Sequence, residues 1–124
     1  MEKQGWVSIW VGNIKEEDSI EEYVDLTYDE KGESVPSKFF IDFNIDMDET
    51  DEDTIEKVVY KNSSSDISTL LDGCSYEEII IPKIKGSIDL KKSYNAVILI
   101  YNFEHNNEIT STAAFDYITS TNYE

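Results

Sequence analysis

Arginine is absent from the 124 residues, and cysteine and histidine occur once each, as Cys74 and His105. A lone thiol makes no internal disulfide, so nothing in the chain calls for an oxidising compartment. One Cys and one His also fall short of the three or four protein ligands of a zinc site, and no cofactor is expected. Ten Lys stand against 27 Asp and Glu, giving a formal charge of −17 and a pI near 4.2. A polyanion of this density is repelled by phosphate backbones and by anionic lipid, which argues against direct nucleic-acid or membrane binding. No apolar run approaches the ~18 residues of a membrane span, and the opening MEKQGWVSIWVGN shows no apolar region ending in a small-residue cleavage site. The expected compartment is the cytosol. Neither a GxxxxGK loop nor GxGxxG occurs, so the usual phosphate cradles are missing too.

What is present is core material. Hydrophobic residues make up 40%, with eight Tyr, five Phe and two Trp, too apolar for a disordered acidic tail and of a length that suits one domain over residues 1–124. The acids are unevenly placed. From Glu16 to Glu56 there are 17, against only Lys31 and Lys38, so this window of 41 residues carries −15 and the rest of the chain −2. Such a cluster reads either as a solvated face or as a surface for basic proteins or cations.

Trp6 to Val11 alternates as a strand does, Val7, Ile9 and Val11 on one side and Trp6, Ser8 and Trp10 on the other, with bulk on both sides that predicts an interior position. Acids Glu16, Glu17 and Asp18 suit a first helical turn, and Ile20, Tyr23 and Val24 give an apolar stripe, predicting a surface helix over 16–27. A polar turn at 28–32 precedes a short helix ending near Phe43, whose Phe39, Phe40 and Phe43 share a face. Asp46 to Asp53 holds six acids... in eight residues, Asp46, Asp48, Glu49, Asp51, Glu52 and Asp53, and predicts an exposed loop. Thr54 to Lys61 has the β-branched pattern of a half-buried strand, and 62–65 reads as a linker. Asp66 can cap a helix through Leu71 that Gly73 stops, while 75–81 stays ambiguous between a capping-box helix and extended chain ending at Pro82. Ala96 to Tyr101 is the most apolar run and predicts a central strand, with Ile109 to Ser120 returning beside it as a hairpin. The expected class is α+β, about four mainly antiparallel strands with helices packed on one face.

Catalytic chemistry finds little support. A nucleophilic pair would need Cys74 and His105 to meet, and their contexts predict a small buried thiol and an exposed turn imidazole instead. Paired carboxylates need one desolvated member to work as an acid, whereas the visible clusters lie in polar loops. Calcium is the more serious alternative, since Asp42, Asn44, Asp46 and Asp48 alternate as loop ligands do. Counted from Asp42, however, Met47 stands at the turn glycine and Asp53 at the bidentate Glu, so the match fails.

The opening Val7-Ser8-Ile9-Trp10-Val11-Gly12-Asn13, the acidic stretch ending Glu21-Glu22-Tyr23-Val24, Pro36-Ser37-Lys38-Phe39, Asp42-Phe43-Asn44-Ile45-Asp46 and the late Tyr94 to Phe103 together resemble the Imm22 immunity proteins, formerly DUF4284. The resemblance implies an α+β, non-enzymatic immunity protein of a bacterial polymorphic toxin system, which binds a cognate toxin. Many such toxins are nucleases, whose phosphate-attracting clefts are basic. On charge and exposure, the expected contact residues are Glu16, Glu17, Asp18, Glu21 and Glu22 with Asp46, Asp48, Glu49, Asp51, Glu52 and Asp53, joined by Trp6, Trp10 or Tyr28 where exposed, core packing being the favoured reading for both Trp. The alternative is an acidic calcium- or cation-binding regulatory module. An edge strand leaves a homodimer open.

Overall fold

The computed structural model describes residues 2–14, 23–24, 27–28, 30–31, 34–35, 37–45, 50, 52–86, 88, 90, 92–105, 109–112 and 115–124. In chain order these form strands β1 (Glu2–Gly12), β2 (Thr27–Tyr28) and β3 (Ser34–Val35), helix α1 (Lys38–Asp42), a 3-10 turn (Glu52–Thr54), strand β4 (Ile55–Ser64), helices α2 (Ile67–Leu70) and α3 (Glu77–Ile84), and strands β5 (Tyr94–Phe103) and β6 (Phe115–Asn122). The four long strands make one sheet in the order β4-β5-β1-β6, every neighbouring pair antiparallel, while β2 and β3 pair separately. The α+β class and the antiparallel sheet are those expected.

The two most apolar strands take the two inner positions, because only there are both faces and both edges covered. On one face Val7, Ile9 and Val11 stand opposite Tyr101, Leu99 and Val97, and pack under Ile67, Leu70 and Leu71 of the α2 region and Ile80 and Ile84 of α3. On the other, Trp10 and Ile98 meet Phe39 and Phe40 from α1 and Phe43 just after it, with Tyr23 and Val24, which are helical. Trp10 makes edge contacts to Phe39 and Phe43 at centroid distances of 5.1 and 5.9 Å. Each of these fully buried side chains contributes roughly 1.5–3 kcal/mol of burial. Helical segments therefore cover both faces, not one as expected. The cause is the connectivity: the β1–β4 link supplies Tyr23, Val24 and α1 to the Trp10 face, and the β4–β5 link supplies α2 and α3 to the opposite face.

The expected hairpin between the last two strands is also corrected. β6 pairs with β1, which separates it from β5, and since both run antiparallel to β1 they are parallel to each other. The chain after Phe103 must cross back over the sheet before β6 begins. Ser8 anchors that crossing: its fully buried hydroxyl donates to Phe103 O at 2.9 Å, accepts from His105 N at 2.9 Å and shares a hydrogen with Ser120 Oγ at 2.6 Å. His105 is accordingly buried against Trp10, Phe43 and Tyr117, and is not an exposed turn residue.

Smaller differences have local causes. Residues 62–64 continue β4 rather than forming a linker. Asp66 caps α2 as expected, its carboxylate accepting from Ser68 N and Thr69 Oγ1, and Gly73 adopts a left-handed φ of 89° after it. The ambiguous stretch is helical through Pro82, held because Ile80 and Ile84 share the core. Its capping box does not form; Ser75 bonds Glu56 instead. The helix expected over 16–27 lies outside the described residues except at Tyr23 and Val24, which are helical, and at Thr27, which is in the short strand β2.

Candidate functional site

Most of the acidic residues expected at the contact surface, namely Glu16, Glu17, Asp18, Glu21, Glu22, Asp46, Asp48, Glu49 and Asp51, lie outside the described residues. Glu52 and Asp53 belong to the 3-10 turn that leads into β4, and the Asp53 side chain is exposed. Asp53 stands at the rim of an open cleft of about 390 Å³. The start of β4 (Ile55, Glu56), the end of β5 (Tyr101, Asn102), the turn before α3 (Ser75, Tyr76) and Tyr123 after β6 form its walls.

A mismatch between strands shapes this cleft. Glu2 pairs with Phe103 and Val7 with Tyr101, so β1 carries extra residues there, and the irregularity includes Gly5 and Asn102 in left-handed conformations, φ 82° and 58°. The Asn102 carboxamide fixes it, its Oδ1 accepting from Gly5 N at 3.0 Å and from the Tyr123 hydroxyl at 2.6 Å. A Cβ on Gly5 would stand 3.0 Å from the Glu124 carboxylate carbon, so glycine also lets the C-terminal residue lie across the bulge. Tyr123 is thereby set edge-on to Tyr101, with centroids 5.2 Å apart, and 4.7 Å from Tyr76.

Glu56 is the acid within the cleft. Its Oε1 accepts from the Tyr101 hydroxyl at 2.8 Å and from Ser75 N at 3.0 Å, and its Oε2 accepts from Ser75 Oγ at 3.2 Å. Burial, followed by the bond to Glu56 and its negative charge, pushes the Tyr101 hydroxyl far above the ordinary tyrosine range, so it remains a donor at every physiological pH. Tyr76 is the outward member of the trio, 48% exposed and held at a left-handed φ of 61°. Nearby Cys74 is buried, and desolvation together with Glu56 and Glu77 pushes its thiol up to about 12, which makes it inert as a nucleophile.

The other candidates separate. Cys74 packs with the α2 and α3 core and His105 against Trp10 on the opposite face of the sheet, so the two cannot cooperate. Trp10 is fully buried and is no surface anchor; Trp6 is half-buried with Lys3 Nζ 3.8 Å from its ring centroid, and the Tyr28 side chain lies outside the described residues. Of the alternating oxygen donors, Asp42 accepts from the Tyr23 hydroxyl at 2.9 Å, while Asp46 and Asp48 lie outside the described residues. Among the described residues no group of three or more His, Cys, Asp or Glu is arranged to hold a metal ion. None of their helices is long and apolar enough to cross a membrane.

Residues 7–124 match the family described as Immunity protein 22. The chain belongs to that family. Its match runs from the first buried valine of β1 to the last residue, and so takes in the sheet, both helical coverings and the tyrosine cleft. No curated protein and no solved structure matches the chain. Membership assigns an immunity function and implies binding of a cognate toxin. Of the acids expected at the contact surface, Asp53 is the one whose described side chain lines the cleft; Glu56, Tyr76, Tyr101 and Tyr123 were not legible as site residues. Glu56 falls within the acidic window, but nothing in the spacing of Tyr76, Tyr101 and Tyr123 announces that they meet.

Proposed function

We propose that this chain neutralises its cognate toxin without catalysis, as a single domain that occupies a basic toxin surface with its acidic window. The contact set is Glu16, Glu17, Asp18, Glu21 and Glu22 together with Asp46, Asp48, Glu49, Asp51, Glu52 and Asp53. One observation carries this reading: 17 of 27 acids fall within a 41-residue window of a chain that belongs to an immunity-protein family. A nuclease fits such a partner best, because a cleft built to attract phosphate also attracts clustered carboxylates. A toxin that attacks nucleic acid has to be stopped in the cytoplasm, which is where the chain acts on this reading.

The test uses the toxin domain encoded by the neighbouring reading frame. Replacing Asp46, Asp48, Glu49, Asp51, Glu52 and Asp53 by Asn or Gln lowers the association rate roughly tenfold or more at low salt and flattens its salt dependence, since steering by charge accelerates encounter by about 10- to 1000-fold. Stopped-flow association across a salt series checks this. A rate that does not change at low salt removes these residues from the contact set.

A further inference from the structure

We propose that the cleft between Tyr76, Tyr101 and Tyr123 is the anchor pocket for one arginine side chain of the cognate toxin. The inference rests on the toxin-binding reading above and adds the chemistry of a single contact. Three features of the cleft converge on a guanidinium. First, Tyr76 stands half exposed at the cleft, held outward by a left-handed backbone that bulky residues seldom adopt and backed by the buried Tyr101 and Tyr123. The negative face of such a ring attracts a cation, and a planar guanidinium can stack on it where an ammonium cannot.

Second, the acid on the wall is already oriented and retains capacity. An ionised carboxylate has about four acceptor positions. Among the described residues Glu56 uses two on Oε1, for Tyr101 and Ser75 N, and one on Oε2, for Ser75 Oγ, which leaves Oε2 an acceptor position for another hydrogen bond. Its geometry is set before any partner arrives, which spares the ordering cost of binding. Third, the charged residues in the described lining of the cleft are Asp53 and Glu56, both acidic. Asp53 and Glu56 also belong to the acidic window in sequence, so the pocket takes in its C-terminal end. Charged steering and a desolvated aromatic anchor are separable: the first sets the association rate and the second the dissociation rate.

The experiment has two arms. In the first, N-acetyl-arginine amide, N-acetyl-lysine amide and the uncharged N-acetyl-citrulline amide are titrated into the whole chain while tyrosine ring signals are followed by NMR. The arginine probe shifts the Tyr76, Tyr101 and Tyr123 rings, lysine does so more weakly and citrulline does not, and Glu56→Gln weakens the arginine response. Equal shifts from arginine and citrulline, or none from arginine, overturn the pocket. In the second arm, dissociation from the toxin domain is measured for Tyr76→Gly, which suits the left-handed backbone and keeps the melting temperature within about 5 °C of the parent chain. The expected rise in koff is about thirtyfold, the size of an interface hot spot. An unchanged koff in an otherwise intact complex overturns the anchor while toxin binding stands. A toxin domain that the parent chain does not bind overturns the reading beneath it.

Discussion

His105 is a residue whose role depends entirely on what surrounds it. The imidazole packs on Trp10, Phe43 and Tyr117, and its Nε2 donates to Ile109 O at 2.7 Å. A carbonyl only accepts, so Nε2 carries the hydrogen of the neutral ring. Burial lowers the His105 pKa below 6.5, with the Ile109 carbonyl opposing the shift. As pH falls below 6.5 the unfolded chain therefore takes up this proton first, and stability declines until the folded-state pKa is passed; above 6.5 the contribution is complete and flat. Urea midpoints across this range and the imidazole titration followed by NMR check the sign. A folded-state pKa at or above 6.5 would refute the buried neutral ring. Local chemistry made Asp66 and Gly73 legible, since a cap and a left-handed stop act within one turn of chain. His105 was not, because the residues that bury it come from β1, the chain just after α1, and β6.

At the scale of elements, the return from β5 to β6 across β1 hangs on Ser8. Its hydroxyl satisfies Phe103 O, His105 N and Ser120 Oγ in a fully buried position. Ser8→Ala leaves the His105 amide with no acceptor there and costs about 2 kcal/mol, because a buried orphan donor keeps its full desolvation penalty. Urea unfolding measures it; a loss below about 0.5 kcal/mol would show that another acceptor replaces the hydroxyl. Strands β1 and β5 were legible because two-sided bulk and an unbroken apolar run leave no place for them but the middle of a sheet. The partner of β6 was not. Pairing with the preceding strand is the common outcome for consecutive strands, and β1, from the far end of the chain, takes that position instead. Pro82 misled in the same way, removing a helical hydrogen bond while the core contacts of Ile80 and Ile84 keep α3 intact.

Over the whole molecule, repulsion within the acidic window works against folding, and the described ion pairs do little to offset it. Lys3–Glu104 at 3.2 Å and Lys92–Asp116 at 3.8 Å both retain solvent exposure, where such pairs contribute ~1 kcal/mol or less. Added salt screens the repulsion, as the Debye length falls from about 30 Å at 0.01 M to about 8 Å at 0.15 M. Melting temperature is expected to rise by several degrees over that interval, measurable by circular dichroism, and a fall would mean that attractive pairs dominate. Composition and spacing alone determined the α+β class, the interior place of β1 and β5, the acidic window and the resemblance to an immunity family, since each is a property of neighbours along the chain. The order of strands, the covering of both faces, the burial of His105 and the meeting of Tyr76, Tyr101 and Tyr123 around Glu56 were decided by tertiary structure. Those features depend on which distant segments exclude water together, and no short stretch of sequence carries that information.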